Sequence, residues 1–193
     1  MTSIFKCCHG KTIRPGKAWT DQTGVQHPAS WHTWSAAEKA EHGITEIVQQ
    51  PHPDSRLYNW SYNADGTVSS TAKALDDVNE VNDDGSPMLD SDGKQVVTKG
   101  VKSGLIEEVK AQQGALLAQS DWAIVRKADT GIDVPANIQL WRNEIRLAAS
   151  VMEDAITQAA TPDAVAALFL TYTLEDDGST TKSGILYDWP ELD

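Results

Sequence analysis

The sequence predicts an α+β protein: a small aromatic-rich β domain, then an antiparallel helical hairpin domain, then a C-terminal β-hairpin. Three observations carry this expectation. Residues 56–62 alternate Leu57, Asn59 and Ser61 with Tyr58, Trp60 and Tyr62, the period-two pattern of a strand with one aromatic face. Ile138, Trp141, Ile145, Ala148, Met152, Ala155 and Ala159 recur at alternating steps of three and four, the apolar stripe of an amphipathic helix. Leu170, Tyr172 and Leu174 precede a turn at Asp177-Gly178, and Ile185, Tyr187 and Trp189 follow it, which reads as a hairpin.

In chain order, Ile4 and Phe5 mark a short strand over residues 3–8, His9-Gly10-Lys11 a turn, and residues 12–14 a returning strand that Pro15-Gly16 ends. Trp19, Trp31 and Trp34 then lie in polar, turn-rich sequence. Ser35 and Glu38 have capping-box spacing, so a short helix starts there and stops at Gly43. Residues 44–48 follow as a strand. The strand over 56–62 turns at Asn63-Ala64-Asp65-Gly66, where Asp-Gly accepts positive φ cheaply, and pairs back over 67–71. Residues 1–75 make up the β-rich domain.

Residues 76–98 differ in kind. Asp76, Asp77, Glu80, Asp83, Asp84, Asp90 and Asp92 predict an acidic linker, with a small hairpin over 87–97 turning at Asp92-Gly93. Read as a calcium loop with Gly93 in sixth place, the segment would put Met88 first and Lys99 twelfth, which are not ligands. Helices are expected over 99–120 and 135–160, within a domain of residues 99–170. On the first, Leu105, Val109 and Leu116 form a stripe flanked by Ile106 and Leu117, interrupted by Gln112 and Gln113. The joining loop carries Trp122, Gly131 and Pro135 as structural residues. Trp122 is expected to plug the open end of the hairpin, the alternative being an exposed anchor for a partner, and Pro135 to stand in the first turn of the second helix. Thr161 is the expected N-cap of a third helix, and residues 171–193 complete the chain.

The run LLAQSDWAIVRKADTGIDVPANIQLWRNEIR (residues 116–146) resembles a segment of tailed-bacteriophage tail-fibre and tail-fibre-assembly proteins. The positions that carry the likeness are Leu116, Leu117, Asp121, Trp122, Arg126, Thr130, Gly131, Pro135, Trp141, Arg142 and Arg146. The resemblance implies a phage tail context. It does not separate a virion subunit from a chaperone that leaves before the particle is finished.

Composition narrows the classes. A net charge of −12 repels nucleic-acid phosphates and anionic membrane surfaces, so neither is an expected partner. Residues 1–11 lack the apolar core of a signal peptide, and no apolar run reaches the roughly 18 residues of a membrane span. Cys7 and Cys8 are adjacent, too close for an unstrained disulfide, and lack the two-to-four-residue spacing of zinc ligands. Reduced thiols are expected, with no metal and no cofactor. His9, His27, His32, His42 and His52 sit in no hydrolase or metalloprotease motif. No phosphate-cradling glycine loop exists, so an enzyme is not expected. Seven tryptophans against two phenylalanines make Trp19, Trp31, Trp34, Tyr58, Trp60 and Tyr62 either the core of a small domain or a stacking surface for a glycan or protein.

The expected function is therefore structural: a phage tail protein of the fibre or baseplate, acting through protein–protein contacts and located in the virion tail after assembly in the host cytoplasm. The alternatives are a tail-fibre assembly chaperone absent from the finished particle, and a glycan-binding module. Ile138, Trp141, Ile145, Ala148 and Met152 are the expected interface, with Tyr58, Trp60 and Tyr62 as a second candidate. A lone pair of helices buries little area, so the seam is expected to be covered by a second copy or by a fibre or baseplate protein.

Overall fold

The computed structural model describes residues 3–7 and 10–192, which divide into two compact units, Met1–Thr71 and Ala72–Asp193. The chain is mixed α and β: small antiparallel sheets, a packed helical hairpin and a C-terminal β-hairpin. The acidic residues 76–98 belong to the second unit.

In the first unit, β1 (Ser3–Lys6) is the centre of a three-stranded sheet between β2 (Thr12–Ile13) and β5 (Thr45–Val48). Phe5 lies opposite both Ile13 and Glu46. The turn expected at His9, and the fate of Cys8, lie outside the described residues. The core beneath this sheet is Phe5, Cys7, Ile13, Trp19, Trp31 and Ile44, with Trp34 packed against it. Trp31 is fully buried, meets Phe5 edge-on at 5.2 Å, and donates its indole N–H to the Lys17 carbonyl. With little Phe, Trp supplies the buried area, and its polar end finds a carbonyl. Trp19 stands on β3 (Trp19–Thr20), which pairs with β4 (Gln26–His27).

A 3-10 turn at Ala29–Thr33 leads into α1 (Ala36–Glu41). The capping box is formed in full: Ser35 Oγ accepts from the Glu38 amide, and Glu38 Oε2 accepts from the Ser35 amide at 2.7 Å. The aromatic strand is β6 (Tyr58–Tyr62), paired with β7 (Val68–Ala72) across the turn that closes between Asn63 and Thr67.

The second unit opens with the acidic segment. β8 (Val78–Asn79) pairs with β9 (Val97–Thr98), and the bridges Val81–Pro87 and Leu89–Gln95 continue the antiparallel ribbon. The hairpin expected over 87–97 is its tip, closed between Asp90 and Lys94. Its carboxylates order the turns: Asp84 accepts from the amide and hydroxyl of Ser86, and Asp90 from the amides of Asp92 and Lys94. Side-chain-to-backbone bonds of this kind stand in for missing apolar anchors.

The ribbon returns the chain to α2 (Val101–Ala118). Asp77 Oδ1 accepts from the amide of Gly100, the N-cap of α2, and the Gly100 α-carbon sits so tightly against the backbone of Leu75 and Asp76 that no side chain fits. Next comes α3 (Asp121–Thr130), then α4 (Ala136–Gln158) and the short α5 (Pro162–Ala166), capped by Thr161 as expected. The tail pairs β10 (Thr171–Leu174) with β11 (Thr180–Ser183).

α2 and α4 form the expected hairpin. α2 packs on α4 with Leu105 and Val109 buried on one helix and Ile138, Trp141, Ile145, Ala149, Met152 and Ile156 on the other, and Val165, Phe169 and Leu186 are buried in the same unit. Residues 185–189 do not continue the hairpin as a strand. Tyr187 has a positive φ of 69°, and only Leu186 bridges, to Phe169. This segment lies over the helices: Tyr187 donates to Glu108, Trp189 to Gln112, and the Trp141 indole to the Pro190 carbonyl. Gln112, a polar interruption in the sequence, is thus the acceptor that satisfies a tryptophan.

Candidate docking surface

The expected interface on α4 is mostly core. Ile138, Trp141, Ile145 and Met152 are buried within their own unit, and Ala148 is half-buried. The 3/4 spacing is what any helix needs to pack, and it does not distinguish a partner in the same chain from one outside it. Here α2 and residues 185–190 supply the cover. The reason for expecting a second copy on this seam, that it lacked one, no longer applies.

A different stripe of α4 is open. Leu140, Leu147 and Val151 are 60%, 66% and 49% exposed. At about 100° per residue they fall within roughly 40° of one another, about 140° round the helix from the buried stripe. Leu147 and Val151 form one wall of an apolar groove of about 550 Å³, with Ala148 and Met152 deeper in it. Ile185, Trp189 and Pro190 form the opposite wall. Two carboxylates stand at this groove, Glu144 and Asp188, the latter bound to Lys182. The Trp189 ring is held by its bond to Gln112, so the wall is anchored before anything docks. The groove was hidden in the sequence because Leu147 and Val151 interleave with the core positions of the same helix.

Trp122 is not a plug. Residues expected as a loop form α3, which turns only Ala123 fully inward and leaves Trp122 53% exposed beside Ile124 and Val125 at 44% and 64%. Its ring lies under the Arg126 guanidinium, 5.1 Å from the centroid, a contact one helical turn away. Gly131 ends α3 at φ 75°, the left-handed cap that lets its amide reach the Lys127 carbonyl. Pro135 stands at the N-cap of α4. What closes the junction is Arg142, named in the sequence only within the resemblance. Its side chain is 9% exposed, and one of its terminal nitrogens donates to the Leu117 carbonyl, Ser120 Oγ and Asp121 Oδ1 at 2.7–2.9 Å. Arg142 therefore ties the end of α2 and the start of α3 to α4.

In the first unit the aromatic face of β6 is half-buried at Tyr58, Trp60 and Tyr62. His52 stacks on Trp60 at 4.0 Å and 8°, and Tyr62 packs edge-on against it, so one face of the central ring is already covered. The remaining cluster surrounds His27, which is buried, stacked on Trp19 at 4.4 Å, and bonded through Nε2 to Asp21 at 3.1 Å. His42 meets His27 edge-on at 5.0 Å. The Thr23 hydroxyl, with further bonds from His27 and the amides of Val25 and Thr23, holds the Asp21 carboxyl well below the usual carboxylate range. Asp21 opens the β3–β4 turn, its carboxylate accepting from the Thr23 and Val25 amides, and buried His27 is bonded to it, a structural role for both. Among the described residues no group of three or more His, Cys, Asp or Glu side chains is placed to hold a metal ion. No helix among them is long and apolar enough to cross a membrane.

No protein-family model, no curated protein and no solved structure matches the chain.

Proposed function

We propose that the chain is a structural protein of a phage tail, associated with the fibre or baseplate, that works by docking an apolar segment of another tail polypeptide in the groove beside α4. The observation that carries this is the exposed pair Leu147 and Val151, which lines a groove opposite the fixed wall of Ile185, Trp189 and Pro190. A helix whose inner face is already packed has no need of Leu147 and Val151 for its own stability, and an exposed apolar groove rimmed by polar residues suits association. The tail context is supported by the resemblance of residues 116–146.

The chemistry of the occupant follows from the groove. Glu144 and Asp188 stand at it, and the whole chain carries −12, so a second copy meets like charge at long range. A segment with apolar anchors at helical or alternate spacing and a Lys or Arg opposite Glu144 is the complementary partner. The glycan reading is not favoured, because His52 occupies one face of Trp60.

Mass spectrometry of purified virions tests the assignment. The chain is expected in stoichiometric amount with fibre or baseplate proteins. Its absence from particles whose assembly requires it would make it a chaperone acting through the same groove. Presence of neither kind, with full particle yield in its absence, would overturn the tail reading.

A further inference from the structure

A second concave site lies between α3, the loop after it and the start of α4, and none of its lining residues is shared with the apolar groove. It encloses about 260 Å³ and is lined by the cations Lys127, Arg142 and Arg146, by Gln139 and Asn143, and by Ile124 and Val134 as apolar walls. No carboxylate lines it. In a chain of net charge −12, three cations converging on one cavity run against the composition.

The charges there are incompletely matched. Lys127 pairs with Asp133 at 2.9 Å, and Arg142 with Asp121. Arg146 reaches only the Arg142 carbonyl and Asn143 Oδ1, at 3.2 and 3.4 Å, and makes no ion pair among the described residues. Arg142 directs its bonds through a single terminal nitrogen, and its buried Nε has no hydrogen-bond partner among the described residues. Of the three lining cations, Arg146 is the one without a carboxylate partner among the described residues.

We propose that this cavity is an anion site that takes a carboxylate. The one lining cation without a carboxylate partner, Arg146, is free to meet a monoanion. The planar fork of a guanidinium fits the two oxygens of a carboxylate, Gln139 and Asn143 add neutral donors, and Ile124 and Val134 suit the methylenes of an acidic side chain. The same chemistry is offered by an acidic residue or chain end of a polypeptide and by a small free carboxylate. The site stands independently of the docking groove, and either can fail without the other.

The test is titration of the full-length protein, labelled with ¹⁵N, following the arginine Nε–Hε resonances. The probes are a glutamate blocked at both ends, its glutamine counterpart, acetate and inorganic phosphate. Blocked glutamate is expected to shift the Arg142 and Arg146 resonances saturably, glutamine is not, and Arg146→Gln should weaken binding about tenfold or more. Arg146 is exposed, so that variant keeps the fold, and far-UV circular dichroism checks it. Lys127→Gln provides a second variant on another element. Glutamate binding tighter than acetate assigns a polypeptide source, and equal or tighter acetate binding assigns a free carboxylate. The proposal is overturned if no probe saturates, if glutamine matches glutamate, or if phosphate binds more tightly than both carboxylates.

Discussion

Replacing Arg142 by alanine isolates the junction that holds the helical unit together. One terminal nitrogen of the guanidinium serves the Leu117 carbonyl, Ser120 Oγ and Asp121 Oδ1, yet it carries two hydrogens, so the three contacts amount to about two full bonds. Hydrogen bonds to a charged group contribute about 1.5–3 kcal/mol each, giving a gross loss of about 3–6 kcal/mol. Two effects reduce it. Removal of the side chain relieves the unmatched Nε, worth about 1–3 kcal/mol, and Asp121, 57% exposed, is rehydrated at little cost. Mid-range values leave a net destabilisation of about 2.5 kcal/mol, or about 10 °C in the midpoint of the unit that contains it. Thermal unfolding followed by circular dichroism measures it, with Asp121→Asn as control. That exposed partner should change stability by less than about 1 kcal/mol. A midpoint for Arg142→Ala within about 2 °C of the parent would refute the junction, and an equal loss for both variants would show that the ion pair, not the backbone tie, carries the energy.

Three further outcomes are expected. Trp122→Ala should cost only about 0.5–1 kcal/mol, the size of an exposed cation–π contact, and a loss above about 3 kcal/mol would restore the buried plug. Gly100→Ala should destabilise by about 1–3 kcal/mol, because a Cβ there would stand 2.5 Å from the Asp76 carbonyl carbon, and an unchanged midpoint would mean that this backbone yields freely. Asp21→Asn should lower the midpoint at neutral pH. The folded carboxyl is held below its ordinary value, so its contribution is present above the unfolded value near 4 and is lost as pH falls through the folded one. The gap between parent and variant should thus hold from about pH 5 upward and close in acid, and a gap that widens on acidification would contradict the bonding around Asp21.

Local signals were legible in the sequence wherever one residue type meets one backbone demand. Ser35 and Glu38 cap α1 reciprocally, Thr161 caps α5, and Asp-Gly and Asn-containing runs turn the hairpins. The helical stripe of α4 was legible too, because burial on one face forces its period. What covers that stripe was not. Ile138 through Met152 pack identically in pattern whether α2 or a second chain lies over them, and the covering residues 185–190 alternate like a strand while forming none. The helix α3 escaped notice because only Ala123 is fully buried on it, so its apolar residues follow no inward period. Leu140, Leu147 and Val151 could have been found as a second stripe on an already amphipathic helix. The cationic cavity could not, since Lys127 and Arg146 converge only after the α3–α4 loop folds back.

Leu147→Asp tests the docking surface most directly. Leu147 is 66% exposed and reaches solvent at the groove, so the change should alter stability by no more than about 1 kcal/mol, from helix propensity and the like charge of Glu144. Beside Glu144 it places a second carboxylate where an apolar anchor is expected to seat. Under the proposed tail role, the yield of particles bearing complete fibres in infected cells complemented with this variant should collapse while the purified protein melts as the parent does. Full particle yield with Leu147→Asp would show that nothing in the tail docks on this face of α4.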